Sequence, residues 1–392
     1  MGIKNINPLI KRYAANAFFT ISIERLSGRR IAIDANNWMY TNMAIARKKI
    51  ISKTDVTMEE PDASLIRREW FLSALNFILS WMTHNVTAVF VFDGINIPPE
   101  KDEIKAKRRD AKIATKAKID ALYQQLHANL LEQPANIVDE LRKELRNYNV
   151  ISNEDFELFK IVLKGIGVPC LQASGEAEQL CSSLCIDGRV AAVFSADTDN
   201  LVHGCPLIIN GFSDTYSYDE FGNRVTQLNC VRIDTVLQGL NMTHSIFVDL
   251  CIMAGCDYNV NMKGYAAIKS YDLLQKYGSI DNLPRDYDTT CLKYQRCREI
   301  FAYKSSETLI VNVGDEGSTG NSLDINKQAI TMSRDYLEMA GISGQINKIV
   351  TVYQHIVSAN DGHVEELNLA PVLRYVPPLP KVKFLTLNII TI

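Results

Sequence analysis

No stretch of the 392 residues approaches the ~18 to 20 uninterrupted apolar residues that a membrane-spanning helix requires. The opening MGIKNINPLIKRY has no apolar core with a small-residue cleavage site, and Ile6 stands where a myristoylation signal carries Ser or Thr. These absences predict a globular protein with no membrane partner, held inside the cell. Nine cysteines include no C-x-x-C pair, so zinc and dithiol chemistry lack support and reduced, mostly buried thiols are expected. A phosphate loop of the form G-x-x-x-x-G-K-[ST] is missing, which counts against a nucleotide-processing α/β enzyme. Internal repeats and long low-complexity tracts are missing too. Nor is there an excess of positive charge: a net charge of −3 and a pI near 6.1 exclude a uniformly basic, nucleic-acid-coating surface.

What the chain does have is enough apolar residue, 47%, for one large core or two modest ones. Three short apolar runs have strand character and each closes on an aspartate: IAID at Asp34, VTAVFVFD at Asp93 and VAAVFSAD at Asp197. Their continuous hydrophobicity predicts strands buried on both faces, hence an α/β fold with a central, mainly parallel sheet flanked by helices. Ligands of such sheets bind beyond the carboxyl ends of the strands. Helical patterns occupy 64–83, 101–127, 136–147, 154–164, 176–187 and 245–254. Beyond about residue 285 the pattern weakens, with a Gly-rich break at 314–322, a helix expected around 332–358 and a Pro-containing tail from 371.

Four further acids follow the strand-end aspartates: Glu176 and Glu178 in SGEAEQL, Asp199 in ADTDN and Asp257 in AGCDYN. Each has an ordinary alternative. Glu176 and Glu178 suit the first turn of a helix capped by Ser174, Asp199 could cap a short helix, and Asp34 and Asp93 could form turns. Asp257 fits less well, because it follows the apolar helix IFVDLCIMAG, at the end whose dipole disfavours an anion. Seven carboxylates in one cleft would repel strongly unless cations sat among them, and hard oxygen ligands without His or Cys point to Mg²⁺ or Mn²⁺. Two such ions ~4 Å apart can activate a water, orient a phosphodiester and stabilise the leaving 3′ oxygen.

Positive charge is segregated between 101 and 118, where Lys101, Lys105, Lys107, Arg108, Arg109, Lys112, Lys116 and Lys118 face only Asp102, Glu103 and Asp110. Lys101 and Arg108 lie two helical turns apart, roughly 10 Å along one face, and Lys105 and Lys112 extend that face. The ridge could grip phosphates or stabilise developing charge; a solvated charged helix is the plainer alternative.

Taken together, these residues resemble the flap endonuclease and XPG family of structure-specific 5′ nucleases over roughly residues 1–285. The likeness runs through the MGI start, IAIDANNWMY, VFVFDG, KDEIKAKR, GVPCLQASGEAEQLCSSL, SADTDNLVHG and AGCDYNVNMKGYAAIKSYDLLQKYGSI, in that order. It implies a PIN-like 5′ nuclease fold with a helical gateway at 98–150 between core segments 1–97 and 151–285. It also implies a helix-turn-helix element at 257–275 that binds duplex DNA, and leaves 286–392 as an extension of unassigned role. Asp34, Asp93, Glu176, Glu178, Asp197, Asp199 and Asp257 match the family's metal-site acids, which hold two Mg²⁺ ions. Lys101 and Arg108 match the pair that acts on the scissile phosphate, and Tyr40 the aromatic on which a base stacks. Gly2, Arg47, Lys105, Lys112, Lys263, Gly264 and Lys269 are the further DNA contacts expected. At the helix-turn-helix the family pattern Gly-hydrophobic-Gly reads Gly264, Tyr265, Ala266. Gly permits backbone conformations that Ala resists, so this departure counts against the usual monovalent-cation site and against tight duplex binding.

The implied activity is Mg²⁺-dependent hydrolysis at 5′ flaps or related branched DNA, in replication, repair or recombination. A four-way junction resolvase and an RNA-cleaving nuclease share the fold and remain open, as does, from another class, a non-catalytic junction-binding scaffold. No sliding-clamp motif of the form Gln-x-x-aliphatic-x-x-aromatic-aromatic is found near the C-terminus. A divergent, viral origin is compatible with these departures and would place the protein in host cytoplasm; otherwise nucleus or cytoplasm is expected.

Overall fold

The computed structural model describes residues 2–128, 135–165, 167–218 and 221–311. The Gly-rich break at 314–322, the helix expected around 332–358, the tail from 371 and any clamp-docking segment there lie outside the described residues.

The chain opens with α1 (Ile6–Tyr13), β1 (Phe18–Ser22), β2 (Arg30–Asp34), α2 (Ala35–Ile51), α3 (Ala63–Met82) and β3 (Thr87–Phe92). Two helical segments follow, α4 (Asp102–Ala128) and α5 (Ala135–Asn147), then α6 (Asn153–Gly165), β4 (Cys170–Gln172), α7 (Ala177–Ile186), β5 (Ala192–Phe194) and α8 (Asp199–Val202). A hairpin of β6 (Leu207–Tyr218) and β7 (Arg224–Arg232) leads to α9 (Ile233–Leu240), α10 (His244–Ala254), α11 (Ala267–Tyr277), α12 (Tyr294–Phe301) and α13 (Ser306–Leu309).

Seven strands form one sheet in the order β1-β7-β6-β5-β2-β3-β4. The five strands β6, β5, β2, β3 and β4 run parallel, and β7 and β1 add antiparallel pairs at one edge. Alternation along the parallel strands explains their continuous hydrophobicity. Ala32, Val89, Val91 and Val193 enter one core with α1, α7 and α9 to α12, while Ile31, Ile33, Phe90 and Phe92 enter a second with α2, α3 and α6. The second core is aromatic, with Phe159 lying 5.7 Å from Trp38 and 5.5 Å from both Trp70 and Phe90 between ring centroids. A third, small cluster joins α4 and α5 to the end of α2 through Ile51, Ile119, Leu122, Leu141 and Leu145.

The helices expected at 64–83, 101–127, 136–147, 154–164, 176–187 and 245–254 are all present, and all nine cysteines are free, seven of them buried. The third strand is shorter than VAAVFSAD suggested. It ends at Phe194; Ser195 N still donates to the Ile209 carbonyl at 3.1 Å, and the chain then leaves the sheet, so Asp197 stands in the loop before α8. Among the described residues no single helix is long and apolar enough to cross a membrane; the bent apolar pair α9 and α10 packs into the first core.

From β2 the chain builds outward to β3 and β4, then returns to the opposite side of β2 with β5 and β6. This reversal leaves a crevice beyond the carboxyl ends of β2 and β5, with β3 and β4 beside it. Tight approach is needed there: a Cβ on Gly94 would lie 2.0 Å from the Ala173 carbonyl oxygen and 2.4 Å from that of Ser174. Gly94 N instead donates to the Gly175 carbonyl at 2.6 Å. Gly94→Ala should therefore destabilise the fold by about 1–3 kcal/mol, the usual cost of forced overpacking. Urea unfolding checks this, with a lower midpoint at unchanged slope expected.

Candidate active site

Asp34 is the last residue of β2 and the cap of α2. Its Oδ1 accepts from Asn37 N at 3.0 Å, while its Oδ2 is buried with no hydrogen-bond partner. Asp93 follows β3 and has both oxygens engaged: Asn36 Nδ2 donates at 2.8 Å, and so does Ala177 N, the first amide of α7. Glu176 occupies the cap position of α7 and Glu178 its first turn. The cap expected from Ser174 does not form, because Ser174 is still held by the sheet edge. Its N–H donates to the Leu309 carbonyl and its own carbonyl accepts from Asn96 N.

Asp197 and Asp199 follow β5, with Asp199 N donating to Asp197 Oδ1 at 3.2 Å. Asp199 opens α8 but makes no capping bond, and its Oδ1 is buried without a partner. Gly2 lies against this pair. Its φ is +91°, and a Cβ there would fall 2.1 Å from Asp197 Oδ1 and 2.9 Å from Asp199 Oδ1, so only glycine fits. Ile3 N donates to Thr198 Oγ1 at 2.9 Å and anchors the N-terminal segment.

Two cations from the base of α4 face the acids. The Lys101 ammonium sits 2.5 Å from Glu176 Oε1 and 3.9 Å from Glu178 Oε2, and Arg108 Nη2 lies 3.1 Å from Asp257 Oδ2. Arg108 thus meets the anion that the α10 dipole disfavours. Tyr258, which the sequence reading passed over, donates its hydroxyl to Glu176 Oε2. Asn36 is a second such residue. Tyr258 follows Asp257 and Asn36 stands two residues after Asp34, but nothing in the sequence singles either out.

Electrostatics tie the acids into one group. Burial, then Asp93 and Asp197, push the Asp34 carboxyl up to about 7. Burial chiefly, with Asp197 and Asp199, raises Glu178 well above the usual carboxylate range, and burial with Asp197, Asp257 and Glu176 does so for Asp199. Asp93 is raised by burial and Glu176 against the opposing Ala177 amide. Burial pulls the Lys101 ammonium down, but Glu178, Glu176 and Asp199 outweigh it and raise the group above its ordinary value, so it stays charged.

Among the described residues no three His, Cys, Asp or Glu side chains are drawn together as a group that could hold a metal ion. The chemistry of the set nevertheless fits divalent cations. Three buried carboxylate oxygens, Asp34 Oδ2, Glu178 Oε2 and Asp199 Oδ1, lack hydrogen-bond donors, and the donors are all hard oxygens.

Other expected contacts are distributed unevenly. Tyr40 is half-buried near Asp93 and Arg108, and Lys112 Nζ lies 5.3 Å from its ring centroid. Lys105 is exposed on the same helix and bears on Asp93. Arg47 packs over the Tyr148 ring at 5.6 Å, away from the acids. Lys263, Gly264 and Lys269 are exposed on the turn and helix following α10, a surface separate from the carboxylates. At the Gly264, Tyr265, Ala266 segment only Gly264 takes a positive φ, +83°, while Ala266 has a φ of −100° and a ψ of −178°, an extended conformation open to any residue.

Without divalent cations the folded protein retains the Asp34 proton up to about pH 7, whereas the unfolded chain releases it near 3.8. Stability therefore falls as pH rises through that window, by at most about 4 kcal/mol for this group. His203 acts oppositely. Burial, then Lys101, His244 and Lys304, lower it to about 3, so stability is lost as pH falls below 6.5. In EDTA the melting temperature should rise from pH 8 to about pH 6.5, and Mg²⁺ should stabilise most at pH 8. A profile that does not rise between pH 8 and 6.5 in EDTA would show that the folded protein does not hold the Asp34 carboxyl above its ordinary range.

Comparison with known proteins bears on the same residues. The XPG N-terminal domain model matches residues 1–115 and the XPG I-region model residues 167–257. Flap endonuclease 1 of Cryptosporidium muris is 32% identical over 310 residues, covering 77% of this chain and 62% of that protein, so the chain spans about three fifths of that relative. The probable RAD2-like endonuclease 369L of Invertebrate iridescent virus 6 is 28% identical over 338 residues, covering 77% of this chain and 79% of that protein. Among solved structures, flap endonuclease-1 from Methanococcus jannaschii has the same fold, with a TM-score of 0.54 at 20% identity over 86% of this chain and 96% of that one. With two models of one family matching over half of its residues, in the segments that carry the acid cluster, the chain belongs to the flap endonuclease and XPG family.

Proposed function

We propose that the protein is a divalent-cation-dependent nuclease that hydrolyses phosphodiester bonds in DNA bearing a 5′ flap or a related branch, leaving a 5′ phosphate and a 3′ hydroxyl. The observation that carries this reading is the convergence of buried, mutually repelling carboxylates at four strand ends, with Lys101 and Arg108 beside them. Asp34, Asp93, Glu176, Glu178, Asp197, Asp199 and Asp257 are the residues that would hold two Mg²⁺ ions, with Mn²⁺ as a substitute. Bound there, the ions would supply an activated water, a polarised phosphate and stabilisation of the leaving oxygen.

The chain's own residues do the rest. Lys101 and Arg108 neutralise Glu176 and Asp257 in this structure and are placed to turn to a phosphate once those acids have other counter-charges. Tyr40 offers a ring beside Asp93 for the base next to the cut, with stacking worth ~1 to 3 kcal/mol. Exposed Lys105, Lys263 and Lys269 supply phosphate contacts on either side. Nine unpaired thiols support a reducing compartment, nucleus or cytoplasm, as the place of action.

The test is cleavage of matched, end-labelled DNAs (single strand, nicked duplex, 5′ flap, 3′ flap, four-way junction) and a single-stranded RNA, with Mg²⁺, Mn²⁺ or EDTA. Metal-dependent cutting at the flap base is expected. A junction or RNA preference would keep the hydrolysis and reassign the substrate, and tight junction binding without cutting of any substrate would leave a scaffold. Asp197→Asn should slow flap cutting by at least about 10²-fold, some 2.7 kcal/mol of barrier, while leaving flap binding intact. Wild-type cutting by that variant would overturn the metal mechanism.

A further inference from the structure

Glu176 is held from two sides by unequal partners. Its Oε1 faces the Lys101 ammonium at 2.5 Å, and its Oε2 accepts the Tyr258 hydroxyl. The partners also meet each other, since Lys101 Nζ stands 5.1 Å from the centroid of the Tyr258 ring. Another face of that ring environment is closed by Phe301 of α12, 5.3 Å away at 77°.

Lysine and tyrosine differ in freedom here. Lys101, its side chain 13% exposed, ends a flexible four-carbon stem at the base of α4 whose rotations let the ammonium withdraw. Tyr258 is 2% exposed and belongs to a loop pinned by Asn259, whose Oδ1 accepts from Cys256 N at 3.1 Å and whose Nδ2 donates to the Ile252 carbonyl at 2.8 Å. A cation entering among the acids can therefore take Oε1 from Lys101, whereas Oε2 stays with the phenol. The same loop presents Asp257 to Arg108, so one short segment orients two acids and, through the tyrosine ring, one basic residue.

We propose that Tyr258 is a positioning residue which makes Glu176 a one-oxygen ligand and offers the displaced Lys101 a ring face beside the substrate phosphate. The inference rests on the divalent-cation nuclease reading and adds to it a group that touches neither ion nor DNA. Outer partners of metal ligands fix the ligand's orientation, and their loss typically weakens metal binding about 10- to 100-fold.

Calorimetric titration of Mn²⁺ into the full chain tests this without requiring turnover. Tyr258→Phe keeps the ring and its packing on Phe301 but removes the hydroxyl, and should weaken Mn²⁺ binding about 10-fold. In a Glu176→Gln background the same change should have almost no further effect, because the hydroxyl acts through that carboxylate. Equal Mn²⁺ affinity in Tyr258→Phe and the unsubstituted protein would overturn the role. So would an equal loss in both backgrounds, which would mark a general loosening of the site. If the unsubstituted protein takes up no Mn²⁺ at all, the nuclease reading itself falls; if it does and Tyr258→Phe matches it, only the role of Tyr258 falls.

Discussion

Repulsion among buried carboxylates at one end of a parallel sheet is the constraint around which the described part of the molecule is arranged. Charges in low-dielectric surroundings cost several kcal/mol each unless paired. The chain meets that cost with local countermeasures. Asp93 receives the first amide of α7, where the helix dipole favours an anion, Lys101 is drawn to Glu176 and Glu178, and Arg108 reaches Asp257. These measures are incomplete, as the raised carboxyls of Asp34, Glu178 and Asp199 show, and the remaining imbalance is what a divalent cation would relieve.

Support for the basic ridge comes from elsewhere. The buried residues of α4 begin at Ile119, and Ile119, Leu122, Tyr123 and Leu126 root its C-terminal half in the small cluster shared with α5 and α2. The preceding half has no fully buried residue. Some of its charges pair along the surface, Lys107 with Glu103 and Lys116 with Asp120, but such exposed i,i+4 pairs contribute only about 0.3–0.5 kcal/mol. Stability therefore does not explain eight basic residues in eighteen positions, whereas phosphate binding does.

The strands ending at Asp34 and Asp93 were legible because two apolar faces leave no polar alternation to confuse the pattern. Helices with a clean buried stripe, such as α5, were legible for the same reason. By contrast α2 was not read as a helix, because its cap is the last residue of a strand and its polar residues are spread among Trp38, Met39 and Met43. The β6 and β7 hairpin escaped as well: the outer part of β6, through Tyr216 and Tyr218, is exposed and has no core to impose a period. Tyr258 was hidden because nothing local marks a tyrosine that acts across 82 residues of chain on Glu176.

The ordinary and the functional readings of the acids also prove compatible. Asp34 caps α2 where an ordinary turn was the plainer expectation, and the capping bond uses Oδ1 and leaves Oδ2 free. Glu176 gives Oε2 to Tyr258 and leaves Oε1 to an exchangeable lysine. Asp197 accepts the Asp199 amide on Oδ1, the oxygen that also faces Gly2. In each case a bond that serves the fold fixes the rotamer of a side chain and leaves an oxygen over, which is how a rigid ligand set would be built without a separate supporting element. It follows that amide and alanine substitutions at these positions are different experiments. Asn at 34 keeps the acceptor that caps α2 while losing the charge, whereas Ala loses both, so only the amide separates chemistry from folding.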